Sequence, residues 1–143
     1  MISSPQTALL ELEKSVTLWF QCRHPHVIQL YGACHISSPR LFAHEHSLNG
    51  TLREFLQLKE NEKLKWQKLY GAALGVQYLH QRGVVRGDLH CDDIVISNDF
   101  RAQIAGLGCT ATCWGPGCRE YKAPELLQHK AATSTSDIYA FGI

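Results

Sequence analysis

Apolar residues recur at helical spacing along parts of the chain and cluster at strand spacing in others. Leu9, Leu12, Val16 and Trp19 follow Ser4-Pro5, a capping hydroxyl ahead of a first-turn proline, and predict a helix to about Gln21. "HVIQLYGAC" (26–34) and "PRLFAHEH" (39–46) are rich in β-branched and aromatic residues and are separated by Ser37, Ser38 and Pro39, so they predict a pair of antiparallel strands. After Asn49-Gly50, Thr51 and Glu54 have the spacing of a capping box, and Leu52, Phe55 and Leu56 give a short amphipathic helix. A longer helix is predicted from Leu64 to about Gln81, with Leu69, Ala72, Ala73, Val76 and Leu79 as its apolar stripe. Its "GAALG" (71–75) has small residues one turn apart, as in tightly packed helices; Lys65, Lys68 and Gln77 exclude a lipid setting.

Past Gly83 the period shortens. Val84-Val85, Ile94-Val95-Ile96 and "RAQIA" (101–105) predict short strands around a loop, and residues 106–122, rich in glycine and small side chains, predict a second loop. A helix restarts at Ala123-Pro124-Glu125, and a last one begins near Ser134 to Asp137. The end, "SDIYAFGI", stops inside an apolar pattern without a cap, which reads as a cut through a longer domain.

Composition narrows the class. A chain of 143 residues, 45% hydrophobic and 19% charged, has the make-up of one globular domain. Its net charge of +1 gives no electrostatic reason to expect nucleic acid or an anionic membrane as partner. The N-terminal stretch lacks the basic and apolar regions of a signal peptide, and no apolar run reaches membrane-span length, so a cytoplasmic location is expected. On that reading the six cysteines are reduced thiols.

Candidate chemistry centres on "VVRGDLHCDDIVIS" (84–97), which sets Asp88, Asp92 and Asp93 against apolar residues. Arg86-Gly87-Asp88 has the wording of an adhesion tripeptide, but the flanking apolar strands favour a packed loop. Cys109, Cys113 and Cys118, with His90 or His129, are spaced more loosely than structural zinc ligands, so ordinary thiols are the preferred reading. The pairs His24/His26 and His44/His46 have ligand chemistry too, yet read better as hydrogen-bonded structural histidines.

Five stretches in order resemble the eukaryotic protein kinase catalytic domain. They are "CRHPHVIQLYGAC" (22–34), "YLHQRGVVRGDLHCDDIVIS" (78–97), "AQIAGLG" (102–108), "GCREYKAPE" (117–125) and "SDIYAFG" (136–142); the Leu-Tyr-Gly-Ala-Cys wording leans toward the tyrosine-kinase-like group. The resemblance implies an α+β, protein kinase-like fold. Residues 1–47 would be a partial N-lobe (regulatory helix and hairpin) with the hinge, and 48–143 the first part of the helical C-lobe. The chain starts at or just before the regulatory helix, so the family's phosphate loop and ATP-positioning lysine are not expected within it.

The same resemblance assigns residues. Against the family pattern His-Arg-Asp-Leu-Lys-x-x-Asn, the chain reads Arg86, Gly87, Asp88, Leu89, His90, Cys91, Asp92 and Asp93. Asp88 is implied as catalytic base, His90 stands where a lysine steadies the transferred phosphate, and Asp93 stands where an asparagine binds the second metal, a position in which a carboxylate could still hold magnesium. Gly87 removes the arginine that contacts a phosphorylated activation loop. Gly106-Leu107-Gly108 stands for Asp-Phe-Gly, so the carboxylate that bridges magnesium to the phosphates is missing.

Glu45, His46 and Ser47 resemble the adenine-binding hinge, with His44 as gatekeeper. Ser15 falls where the regulatory helix carries its glutamate, although Glu11 and Glu13 are within about a turn. Asp137 is implied to anchor the catalytic loop, and Glu125 to meet an arginine farther along the family's domain. ATP and Mg are the implied cofactors, with weak binding, and a protein substrate or protein partner is implied. The expectation is a catalytically impaired, pseudokinase-like domain; the alternative is an ATP-dependent serine/threonine kinase whose missing segments lie outside this chain.

Overall fold

The computed structural model describes residues 5–34, 41–106, 120–128 and 130–143, with backbone only at 5, 7–9, 11 and 12. The expectations for Ser4, Ser37 to Pro39, Leu107, Gly108, Cys109, Cys113, Cys118 and His129 lie outside the described residues. The elements run α1 (Pro5–Gln21), β1 (Leu30–Cys34), β2 (Leu41–His44), α2 (Leu52–Gln57), a 3-10 turn (Lys59–Leu64), α3 (Lys65–Gln81), a second 3-10 turn (Cys91–Asp93), β3 (Ile94–Ile96), β4 (Ala102–Ile104), α4 (Pro124–Leu127) and α5 (Ser134–Gly142). Two antiparallel hairpins, β1–β2 and β3–β4, supply the sheet. The mixture of helices with small antiparallel strands is the α+β arrangement expected.

Local signals explain the helices. Thr51 and Glu54 close the capping box ahead of α2, as their spacing predicts. At α5, Thr133 accepts from the Ser136 amide while the Ser136 side chain takes the Thr133 amide, so two otherwise orphaned donors are satisfied. Trp19, Ile28, Leu30, Leu79, Leu89, Ile96 and Ile104 form the most deeply buried part of the core. Among the described residues, no helix is long and apolar enough to cross a membrane.

Two strand expectations need correction. The run 26–34 is not one strand: β1 begins at Leu30, its register with β2 shifts between Leu30 and Gly32, and Val27 instead forms a parallel bridge to Ile104. The Ile28 amide donates to the Ile104 carbonyl and the Ile104 amide to the His26 carbonyl, both at 2.9 Å, so this segment straps the first hairpin onto β4. Nor are Val84 and Val85 a strand. Gly83, at φ +74, turns the chain so that the Val84 amide bonds back to Leu79, and the amides of Arg86 and Gly87 are captured by a side chain from α5. With those donors engaged there is no ladder to form.

The stripe on α3 is also shifted. Ala72, Val76 and Leu79 are buried as expected, but Lys68, Gly71 and Gly75 join them, while Leu69 and Ala73 are half-buried. Gly75 sits under the strap: a Cβ there would lie 2.2 Å from the His26 carbonyl oxygen and 2.9 Å from Ile104 Cγ1. That carbonyl already accepts from Ile104, so it is not free to move aside. Gly75→Ala is therefore expected to destabilise the fold by about 1–3 kcal/mol through overpacking, despite the roughly 1 kcal/mol that alanine gains over glycine in a helix. Gly32→Ala, which meets nothing within 4 Å, should change stability little. Denaturant midpoints of the two variants test the contrast; equal midpoints would show that the close approach carries no weight.

Candidate functional site

The loop between α3 and β3 is fixed from below by α5. Asp137, in the first turn of α5, is only 2% exposed. Its Oδ2 accepts from the Arg86 amide at 2.7 Å and its Oδ1 from the Gly87 amide at 2.8 Å. His80 Nε2, at the end of α3, lies 2.9 Å from Oδ2; a carboxylate only accepts, so that nitrogen carries the hydrogen. Gly87 takes φ +75 between these anchors, in the left-handed region that favours glycine. Buried Leu89 then pins the far side of the loop, leaving Asp88 half-buried between the two. Among the described residues nothing hydrogen-bonds or ion-pairs with the Asp88 carboxylate.

His90 turns inward on its own loop. Its Nδ1 accepts from the Asp92 amide at 3.3 Å, capping the turn Cys91–Asp93, and its Nε2 lies 3.3 Å from Asp93 Oδ2. Asp92 pairs through Oδ1 with Arg53 at 2.9 Å, while its Oδ2 lies 3.8 Å from His90 Nδ1. Cys91 Sγ lies 3.6 Å from the Tyr121 hydroxyl, which brings the segment leading to α4 against this turn.

Arg86 is the residue whose part in the site the sequence reading missed. Its side chain is 4% exposed, which places it inside the fold and excludes the adhesion reading of Arg86-Gly87-Asp88. Nη2 is 3.0 Å from Asp93 Oδ1, Nε donates to the Ala105 carbonyl at 3.3 Å, and Nη1 is buried with no partner among the described residues. Gly106, at φ +72, makes room for this head group. A Cβ on it would lie 2.7 Å from Arg86 Nη2 and 2.9 Å from Asp93 Oδ1. The signal in the sequence was the coincidence of three departures from two family patterns, at positions 86, 93 and 106, which meet in space.

This arrangement decides the fit of magnesium. Mg²⁺ demands near-octahedral oxygen ligands at about 2.1 Å. Gly106 offers no side-chain oxygen, Asp93 Oδ1 is held by a guanidinium, and Asp93 Oδ2 is approached by both His90 Nε2 and the His90 amide at 3.3 Å. As arranged here the residues do not fit the ion, and Asp93, expected as a metal ligand, is paired with Arg86. Burial pushes the Asp93 carboxyl above its ordinary value, with the neighbouring Asp88 charge adding to the rise and Arg86 and His90 opposing it. No group of three or more His, Cys, Asp or Glu side chains with metal-site geometry exists among the described residues.

Residues 45–47, expected as a hinge, follow β2. The Glu45 amide donates to the Gln29 carbonyl at 2.9 Å, and the Glu45 carbonyl lies 2.8 Å from His44 Nδ1, so both backbone groups of Glu45 are engaged. His46 is exposed, and the Ser47 hydroxyl is buried with no partner among the described residues. Of the three residues, His46 and Ser47 have backbone groups that no described residue engages. On α1, Ser15 is half-buried and Glu13 exposed. Farther on, the carbonyl of Glu125 accepts from Gln128 and Lys130 at the end of α4, and its carboxylate makes no ion pair among the described residues.

Known proteins resemble this chain in sequence. The chain is 30% identical to a probable receptor-like protein kinase of Arabidopsis thaliana, over 98% of its own length and 20% of the relative's. It is also 30% identical to a serine/threonine/tyrosine-protein kinase of Arabidopsis thaliana (93% of this chain, 37% of the relative) and to a receptor-like cytoplasmic serine/threonine-protein kinase of Nicotiana benthamiana (86% and 30%). The chain thus spans between a fifth and two fifths of the length of these relatives. The sequence profile described as protein tyrosine and serine/threonine kinase matches residues 3–143. A loop tied to α5 through Asp137, a match over nearly every residue and relatives of one kind together make this chain a member of the protein kinase family.

Proposed function

We propose that this chain is a catalytically impaired protein kinase domain, a pseudokinase that acts by binding a protein partner in the cytoplasm. The observation that carries the reading is the side chain missing at Gly106, together with the Arg86 guanidinium in the space it leaves. Phosphoryl transfer depends on positioning and on charge stabilisation by metal. If the metal supplies several kcal/mol, and each tenfold in rate corresponds to roughly 1.4 kcal/mol, loss of its anchor lowers turnover by several powers of ten. Residual contact with ATP would come from the backbone of His46 and Ser47, and is expected to be weak.

One observation favours a second reading, an ATP-dependent serine/threonine kinase completed by segments outside this chain. Asp88 retains a carboxylate, without a partner among the described residues, that could accept a hydrogen bond from a substrate hydroxyl. Transfer of phosphate from ATP to a generic protein substrate, with magnesium, separates the two. We expect transfer at background level and no change on Asp88→Asn; turnover that Asp88→Asn abolishes would establish the kinase reading instead.

A further inference from the structure

We propose that Arg86 is a built-in replacement for the divalent metal: its guanidinium, held by Asp93 and the Ala105 carbonyl in the volume left by Gly106, supplies the positive charge of the site and keeps divalent cations out. The inference deepens the non-catalytic reading of the same loop and rests on it.

Three independent features converge on that head group. The first is space, because any side chain at 106 would overlap Arg86 Nη2 and Asp93 Oδ1. The second is charge. Asp88 and Asp93 bring two carboxylates to one loop, and the Arg86 guanidinium sits 3.0 Å from Asp93 Oδ1 as a fixed positive charge inside the fold. The third is Nη1, a buried donor without a partner among the described residues, which leaves part of the guanidinium's hydrogen-bonding capacity unspent there. A divalent ion beside it would meet a fixed like charge in a poorly solvated setting, where repulsion is far stronger than in water. Arginine suits the role because its planar fork addresses a carboxylate and a carbonyl together and stays charged at all working pH.

The test uses Mn²⁺ as a paramagnetic probe on the full chain, followed by electron paramagnetic resonance, with melting temperature as a second readout. The wild-type protein is expected to bind no stoichiometric Mn²⁺ at millimolar concentration, and its melting temperature should be unmoved by magnesium. Arg86→Gln should lower the melting temperature by removing the guanidinium from Asp93, gain Mn²⁺ binding at Asp88 and Asp93, and recover part of its lost stability when Asp93→Asn is added. Arg86→Lys, which keeps the charge, should fold and remain blind to Mn²⁺, and it decides the matter should the glutamine variant fail to fold. Stoichiometric Mn²⁺ binding to the wild type that Asp93→Asn removes would overturn the proposal, as would additive losses from the glutamine and asparagine substitutions. Phosphate transfer without any divalent cation would defeat the non-catalytic reading while leaving this one standing; Mn²⁺ binding without transfer would do the reverse.

Discussion

Replacing Asp137 by alanine is expected to remove about 3–5 kcal/mol of folding stability, as breaking a buried charged contact does. The side chain is almost wholly buried and receives three donors: the amides of Arg86 and Gly87 and the His80 ring. Alanine strands all of them, and each buried group left without a partner costs roughly 1–3 kcal/mol. A domain with only about 5–15 kcal/mol in hand would be partly unfolded by the change. The Asp137→Asn substitution keeps one acceptor oxygen but turns an amide NH₂ toward a second donor, so its stability should fall between those of the alanine variant and the wild type. Urea denaturation gives the totals, and hydrogen exchange at the amides of Arg86 and Gly87 gives the location. Loss below about 1 kcal/mol, the typical net worth of one hydrogen bond, with those amides still protected, would show that Asp137 is not what holds the loop.

That anchor shows where sequence reasoning reaches and where it stops. α2 was legible because its start is written within four residues, Thr51 to Glu54, and nothing distant competes for those donors. α1 and α3 were legible for a similar reason, since a helix satisfies its hydrogen bonds from within and leaves only its face to tertiary choice. Val84 and Val85 carry equally good strand chemistry, yet the donors beside them are claimed by a carboxylate about fifty positions on, and no local pattern reveals that claim. The same limit applied to Arg86. Read singly, Gly106 is a lost carboxylate, Asp93 a substituted metal ligand and Arg86 a substituted histidine; only their mutual distances make them one cluster. Family resemblance placed the loop, but a family pattern records what a position usually holds and is silent on how departures offset one another.

The second large effect is expected at Trp19, where the predicted regulatory helix meets the hairpin. The indole is 2% exposed, its Nε1 donates to the Ile28 carbonyl at 2.9 Å, and its ring lies 6.1 Å from Phe42 and 6.3 Å from His44. Ile28 is in turn bonded to Ile104, so one side chain joins α1, the strand leading to the hinge and the strap onto β4. Trp19→Ala is expected to cost about 3–5 kcal/mol, the usual range for emptying a buried aromatic site. Trp19→Phe keeps most of the buried area but leaves the Ile28 carbonyl without its donor, and should cost about 1–3 kcal/mol. Denaturation of both variants separates packing from hydrogen bonding; equal losses would assign the whole effect to the bond. A further consequence concerns motion. A helix pinned by a contact of that size does not swing freely against the hairpin, so hydrogen exchange in Trp19→Ala should rise first in β1, β2 and residues 45–47, with α3 and α5 exchanging later. Simultaneous exchange of all these elements would mean instead that the hairpin and the helical part unfold as one unit, with Trp19 contributing to both through the strap at His26 to Ile28.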